Sequence, residues 1–185
     1  MSETVKKLEE RVLANIVRAE ITEEDTGTTY VFTTSSEAAI KPYASEGTEK
    51  IHRVKNTILA SLRYDDILLG YEIKLVNNTF CPELLSLVDG GTITNDEDGN
   101  FVSYAAPVVG RVTERKNLTV ALYTEELDCD GETLEYIKFT FKHAKGKPVE
   151  YSIKDGEFFI PELTLHSRAK SYESSVTVEV LKNID

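Results

Sequence analysis

The sequence is poor in the residues that build reactive centres. It has no tryptophan, one methionine, two cysteines and three histidines in 185 residues. Cys81 and Cys129 lie far apart and in no metal spacing, so a disulfide scaffold is excluded. Two free thiols in a protein made in the cytoplasm are expected, with one disulfide as the alternative. His52, His143 and His166 have no neighbouring His or Cys, whereas zinc needs four ligands. There is no Gly-x-Ser-x-Gly elbow and no phosphate-cradling glycine loop, although a Cys–His pair assembled by the fold stays open. Adjacent carboxylates such as Glu125–Glu126 and Asp65–Asp66 would face opposite ways on strands. The acidic run Asn95–Asn100 does not fit an EF-hand: with Gly99 as the sixth position, Thr94 is first and Ala105 twelfth, where acids are required. No catalytic residue, metal site or cofactor is expected, and the chain does not read as an enzyme.

Positive charge is also scarce. Lys and Arg number 21 against 32 Asp and Glu, a net charge of −11 that repels nucleic acid and anionic membranes on average. Lys138, Lys142, Lys145 and Lys147 form a modest basic cluster near Tyr136, read as a solvated face or an ionic contact to a second subunit. No apolar run approaches the ~20 residues of a membrane-spanning helix. The first residues, MSETVKKLEERVLANIV, are charged throughout and lack the apolar stretch of a secretory signal, so the Asn77 and Asn117 sequons are read as chance matches.

What is present is alternation. The hydrophobic fraction of 41% suffices for one core, and 185 residues suit a single domain. Val54, Ile58, Ala60 and Leu62 share one parity; after Tyr64-Asp65-Asp66, Ile67, Leu69, Tyr71, Ile73 and Leu75 share the other. Period-two alternation places one face of each strand in a core, which predicts a long β-hairpin over about 50–76. Pro82, then Leu84, Leu85, Leu87 and Val88, then Gly90-Gly91, predict a short helix over about 81–88. Upstream, residues 4–13 have the spacing of an amphipathic helix, Asn15–Ile21 can be read as a strand, and the switch is expected near Leu13. Thr29–Thr33 is a strand candidate, and residues 34–48 read as a long loop. Later strands are expected to start at Thr92 and to cover Phe101–Ala105, Val108–Thr113, Leu118–Glu125, Leu134–His143, Val149–Lys154, Phe158–Leu165 and Ser175–Leu181. The fold class is therefore mainly β, an antiparallel sandwich or barrel with one short flanking helix. It is a single domain over 1–185, with an N-terminal extension of about 1–14.

Three segments within residues 46–165 carry a family resemblance. They are Glu46-Gly47-Thr48-Glu49 with Arg53–Ala60; Gly70–Leu75 followed by Phe80–Leu85 and Gly90-Gly91; and Gly146-Lys147-Pro148, Asp155–Phe158 and Pro161–Thr164. In this order they resemble the major tail, or tail tube, proteins of tailed bacteriophages. The resemblance implies hexameric rings stacked into a hollow tube, part of a virion tail made in the host bacterial cytoplasm. Implied partners are other copies of the chain and the tape-measure, tail terminator and baseplate proteins. DNA would pass through the lumen without specific binding, and no membrane is involved. The expected subunit interface includes Pro42, Tyr43, Arg53, Lys55, Glu72 and Lys74. Other readings are a monomeric baseplate or adhesion module, a tube subunit of a bacteriocin or injection particle, and a small β-fold enzyme.

Overall fold

The computed structural model describes residues 6–184. The chain enters through β1 (Leu13–Glu23), β2 (Thr29–Phe32) and β3 (Ser35–Ser45). It continues through β4 (Glu49–Val54), β5 (Thr57–Arg63) and β6 (Ile67–Asn77) to α1 (Pro82–Asp89). Next come β7 (Thr92–Asn95), β8 (Phe101–Ala105), β9 (Leu118–Leu127), β10 (Thr133–Gly146), β11 (Glu162–Ser167) and β12 (Thr177–Leu181). Eight strands form one antiparallel sheet in the order β2-β1-β9-β10-β11-β6-β3, with β12 added to β10. The pairs β4–β5 and β7–β8 form two small sheets of their own. The mainly β, antiparallel expectation with one short helix is met.

The pivot is β10, a strand of 14 residues. Along one side it follows β9; along the other it pairs with β12 over Tyr136–Thr140 and with β11 over Ala144–Gly146. Its register against β9 shifts between Phe141 and Ala144, and His143 there has φ +53°. A bulge of this kind bends a strand and increases its twist. The sheet turns at that point, so the β2-β1-β9 side faces the β11-β6-β3 side and β1 approaches β3. Between them lie alternate residues of each strand: Ala19 and Ile21, Leu118 and Val120, Leu163 and Leu165, Ile73 and Leu75, with Phe141 from β10.

Helix α1 adds Leu84, Leu85, Leu87 and Val88 to this core. Pro82 opens it, where the absent N–H leaves no orphan donor, and Gly90 closes it at φ +84°, its N–H reaching Ser86 O at 2.9 Å. Eight residues would not hold a helix in water. Burial does, at ~1.5–3 kcal/mol for each leucine taken from solvent.

Six sequence expectations are corrected. Residues 35–45 are not loop but the edge strand β3, paired along its length with β6. Pro42 is tolerated there because an edge strand has one side with no ladder to donate to. The hairpin over about 50–76 is also not as expected, since β5 does not pair with β6. Instead β4 pairs with β5 around Lys55-Asn56, with Lys55 at φ +51°, and β6 pairs with β3. The Tyr64-Asp65-Asp66 stretch faces residues 46–48: Tyr64 N–H donates to Thr48 O at 2.9 Å and Gly47 N–H to Asp66 Oδ1 at 2.7 Å. The true ribbon thus runs from Ser35 to Asn77, is interrupted in both strands at one level, and turns at its far tip.

No helix forms over residues 6–12, while residues 4–5 of that expected helix lie outside the described residues. This segment is instead tied to β9 and β10: Leu127 N–H donates to Val12 O at 3.0 Å, and Arg11 reaches Glu126 at 2.8 Å and Glu135 at 2.7 Å. With no helix before it there is no switch, but the strand does begin at Leu13, the residue at which the change was expected. Finally, Val108–Thr113 and Val149–Lys154 are not strands. Pro107 and Gly110, at φ +80°, break the first, and the second contributes only an isolated bridge from Glu150 to Glu162. The strand expected from Phe158 begins at Glu162, just after Pro161.

Candidate interaction surfaces

Every residue of β4 and β5 is exposed. Their apolar content is high nonetheless: Ile51, Val54, Ile58, Leu59 and Leu62 are all more than half exposed, Ile58 at 63%. A lone two-stranded ribbon is marginal in water, and this one leaves its large aliphatic side chains to solvent. Arg53, opposite Ile58, and Lys55, in the turn, put two cations at its tip. Tyr64, Ile67 and Leu68 extend the exposed apolar surface to its base.

The other expected interface residues sit elsewhere, on the main sheet. Pro42 is exposed opposite Tyr71. Tyr43 is half-buried, stacked on His166 with ring centroids 5.4 Å apart, and donates its hydroxyl to Ser167 O at 2.9 Å. Lys74 donates to Glu162 at 2.6 Å. Glu72 accepts from Lys147 Nζ at 2.9 Å and lies 2.6 Å from His166 Nε2. The Lys147 bond first, and His166 second, hold the Glu72 carboxyl down to about 2 from an ordinary 4.5. Arg53 and Lys55 are therefore grouped at the arm tip, and Tyr43 and Glu72 around His166; the two groups belong to different sheets.

A second histidine is held in the same way. His143 Nδ1 lies 2.7 Å from Glu24 Oε2, its backbone N–H donates to Glu24 Oε1 at 2.7 Å, and its Nε2 is 3.3 Å from Glu173. Burial alone would raise the Glu24 carboxyl, but these bonds together with Thr119 outweigh it and lower it. Strand register explains the grouping around His166. Lys41, Glu72, His166 and Lys145 are successive cross-strand partners on β3, β6, β11 and β10. No local sequence signal could have found this row, because its four members come from four separated segments. The basic cluster read from sequence is divided: Lys138 Nζ sits 5.3 Å from the Tyr123 ring centroid, Lys147 is bound to Glu72, and Lys145 stays exposed.

Cys81 and Cys129 are free. No helix among the described residues is long and apolar enough to cross a membrane.

No protein-family model and no curated protein sequence matches the chain. Among solved structures, it is similar to a chain in the cryo-EM structure of the anti-feeding prophage (AFP) baseplate, six-fold symmetrised. That likeness covers 94% of this chain and 97% of the other, at 11% identity and a TM-score of 0.47.

Proposed function

We propose that the chain is a non-enzymatic structural subunit of a phage-type tail, closing with copies of itself into hexameric rings that stack as a tail tube. The carrying observation is the β4–β5 arm, a ribbon with every residue exposed and five large aliphatic side chains more than half in solvent. Apolar surface left open on this scale marks a protein–protein interface. Two connecting stretches add to it, with Val112 wholly exposed and Phe158 94% exposed. The segments around the arm, Glu46–Glu49, Arg53–Ala60 and Gly70–Leu75, are among those that resemble tail tube proteins.

In this reading the arm meets a different surface on the next copy. Such a heterologous contact makes a ring when its rotation closes. Six chains at −11 would carry −66 formal charges. An acidic inner wall would repel phosphates, so DNA would slide past it without the salt-dependent trapping of a basic lining. The tape-measure protein would share that lumen, with terminator and baseplate proteins at the tube's ends. Negative-stain microscopy of the concentrated protein tests the proposal. Rings or tubes support it, and a persistent monomer favours a monomeric baseplate module.

A further inference from the structure

In a chain with an acidic excess, three cations gather around one cleft. His143 and His166 open onto a single cleft of about 680 Å³, lined also by Tyr43, Lys145, Arg168 and Lys170. Its walls are fixed. Glu24 holds His143, Glu72 holds His166, and the Tyr43 ring is locked by stacking and by its bond to Ser167 O. Lys145, Arg168 and Lys170 are exposed, and among the described residues none of their side chains has an ion-pair partner. Arg11, Lys74, Lys116 and Lys147, by contrast, are engaged by carboxylates, while Arg53 stands exposed on the arm. Three cations without an ion-pair partner thus rim a preformed cleft, the arrangement that suits an acidic ligand.

The opposite end of the same strand carries the complementary charge. β10 begins at Thr133, opposite Leu127, and reaches the cleft at His143–Gly146. At ~3.3 Å per residue the two ends stand on the order of 35 Å apart. The turn between β9 and β10, residues 128–132, is Asp-Cys-Asp-Gly-Glu. Asp128 Oδ1 accepts from Asp130 N–H at 2.9 Å and Glu132 N–H at 2.8 Å, which sets the turn. The Asp130 and Glu132 carboxylates remain exposed with no ion-pair partner among the described residues.

Resting on the ring-and-tube reading, we propose that this cleft receives the acidic β9–β10 turn of a second copy, as the head-to-tail contact by which copies stack. A cleft at one end and its ligand at the other end of one strand form a heterologous pair that propagates along that axis. A duplex nucleic acid is a poorer occupant, because a long polyanion must also lie along the acidic chain outside the cleft, whereas the carboxylates of a single turn are confined to it.

Two reversals test this in the full chain: K145E/R168E makes the cleft acidic, and D130K/E132K makes the turn basic. Sedimentation velocity and microscopy should show each variant alone to be folded but weaker in association by roughly tenfold or more. A 1:1 mixture should recover, since both contacts between unlike chains are then complementary. Variants that assemble like the parent, or a mixture that stays apart, overturn the contact and leave the tube reading standing. Independently, a cyclic peptide spanning residues 127–133 is titrated onto the full chain, with the His143 and His166 ring resonances followed by NMR. Salt-sensitive shifts that vanish in K145E/R168E support the contact even if no ring forms, which would count against the tube reading alone. No shift with the peptide overturns it, as does a shift produced only by a DNA oligonucleotide, which would make the cleft a phosphate site.

Discussion

A β-carbon placed on Gly146 would stand 1.9 Å from the carbonyl oxygen of Val88. The last turn of α1 therefore rests directly on the backbone of β10, and no side chain fits between them. Gly146→Ala must push the helix away, displacing Leu84, Leu87 and Val88 from the core. Overpacking of this kind costs ~1–3 kcal/mol. Denaturant unfolding should show a lower midpoint with a nearly unchanged slope.

Tyr104 secures the same helix end. Its hydroxyl donates to the buried Asp89 carboxylate at 2.6 Å, and burial first, then this bond, raises the phenol above its ordinary range. Tyr104→Phe keeps the ring and leaves Asp89 short of a donor. A loss of ~1–3 kcal/mol is expected. Tyr104→Ala should cost more, because the packing is lost as well. Thermal melts of the three proteins side by side check the order.

Acid should loosen the fold through its carboxylates. Glu72 has a folded value of about 2 against an ordinary 4.5, so its stabilising effect is complete above about 4.5 and is lost as pH falls from there towards 2. Glu23, held first by Lys116, and Glu125, held first by Thr133, are lowered in the same direction. Glu72→Gln should lower stability at neutral pH and flatten, without abolishing, the decline below pH 4.5. Unfolding free energy measured across that range reads both effects. A variant with the parent's slope would remove Glu72 from the account.

The arm should matter to assembly and not to folding. Ile58 is 63% and Leu59 59% exposed, so I58S/L59S removes little buried surface. Stability should change by no more than ~0.5 kcal/mol, the usual range for surface substitutions. Self-association, followed by light scattering against concentration, should fall sharply.

Which parts of the molecule could be read in advance follows from where their signals lie. The helix was legible because Pro82, the leucines and Gly90 are adjacent in the chain and each acts locally. β9 and β10 were legible because Leu118, Val120, Leu122 and Ile137, Phe139, Phe141 alternate as half-buried strands must. β3 was hidden, since Ala38, Ala39, Ala44 and Pro42 in an edge strand carry a loop's composition. The ribbon's turn was misplaced for a related reason. Tyr64-Asp65-Asp66 has turn-forming residues, but the chain reverses at Lys55, whose φ of +51° suits glycine or asparagine better than lysine. The interface candidates are divided accordingly: Arg53 and Lys55 lie at the arm tip, while Glu72 and Lys74 lie on β6, one strand in from the edge of the main sheet. The cleft between the two histidines depends on a cross-strand register that no single segment encodes.

Self-assembly driven by the exposed arm is tested most directly by negative-stain electron microscopy of the purified chain across a concentration series, beside I58S/L59S. Rings of about six subunits, or tubes built from them, should form for the parent and be absent for the variant. A parent that remains monomeric at every concentration, or a variant that forms the same rings, would contradict the account.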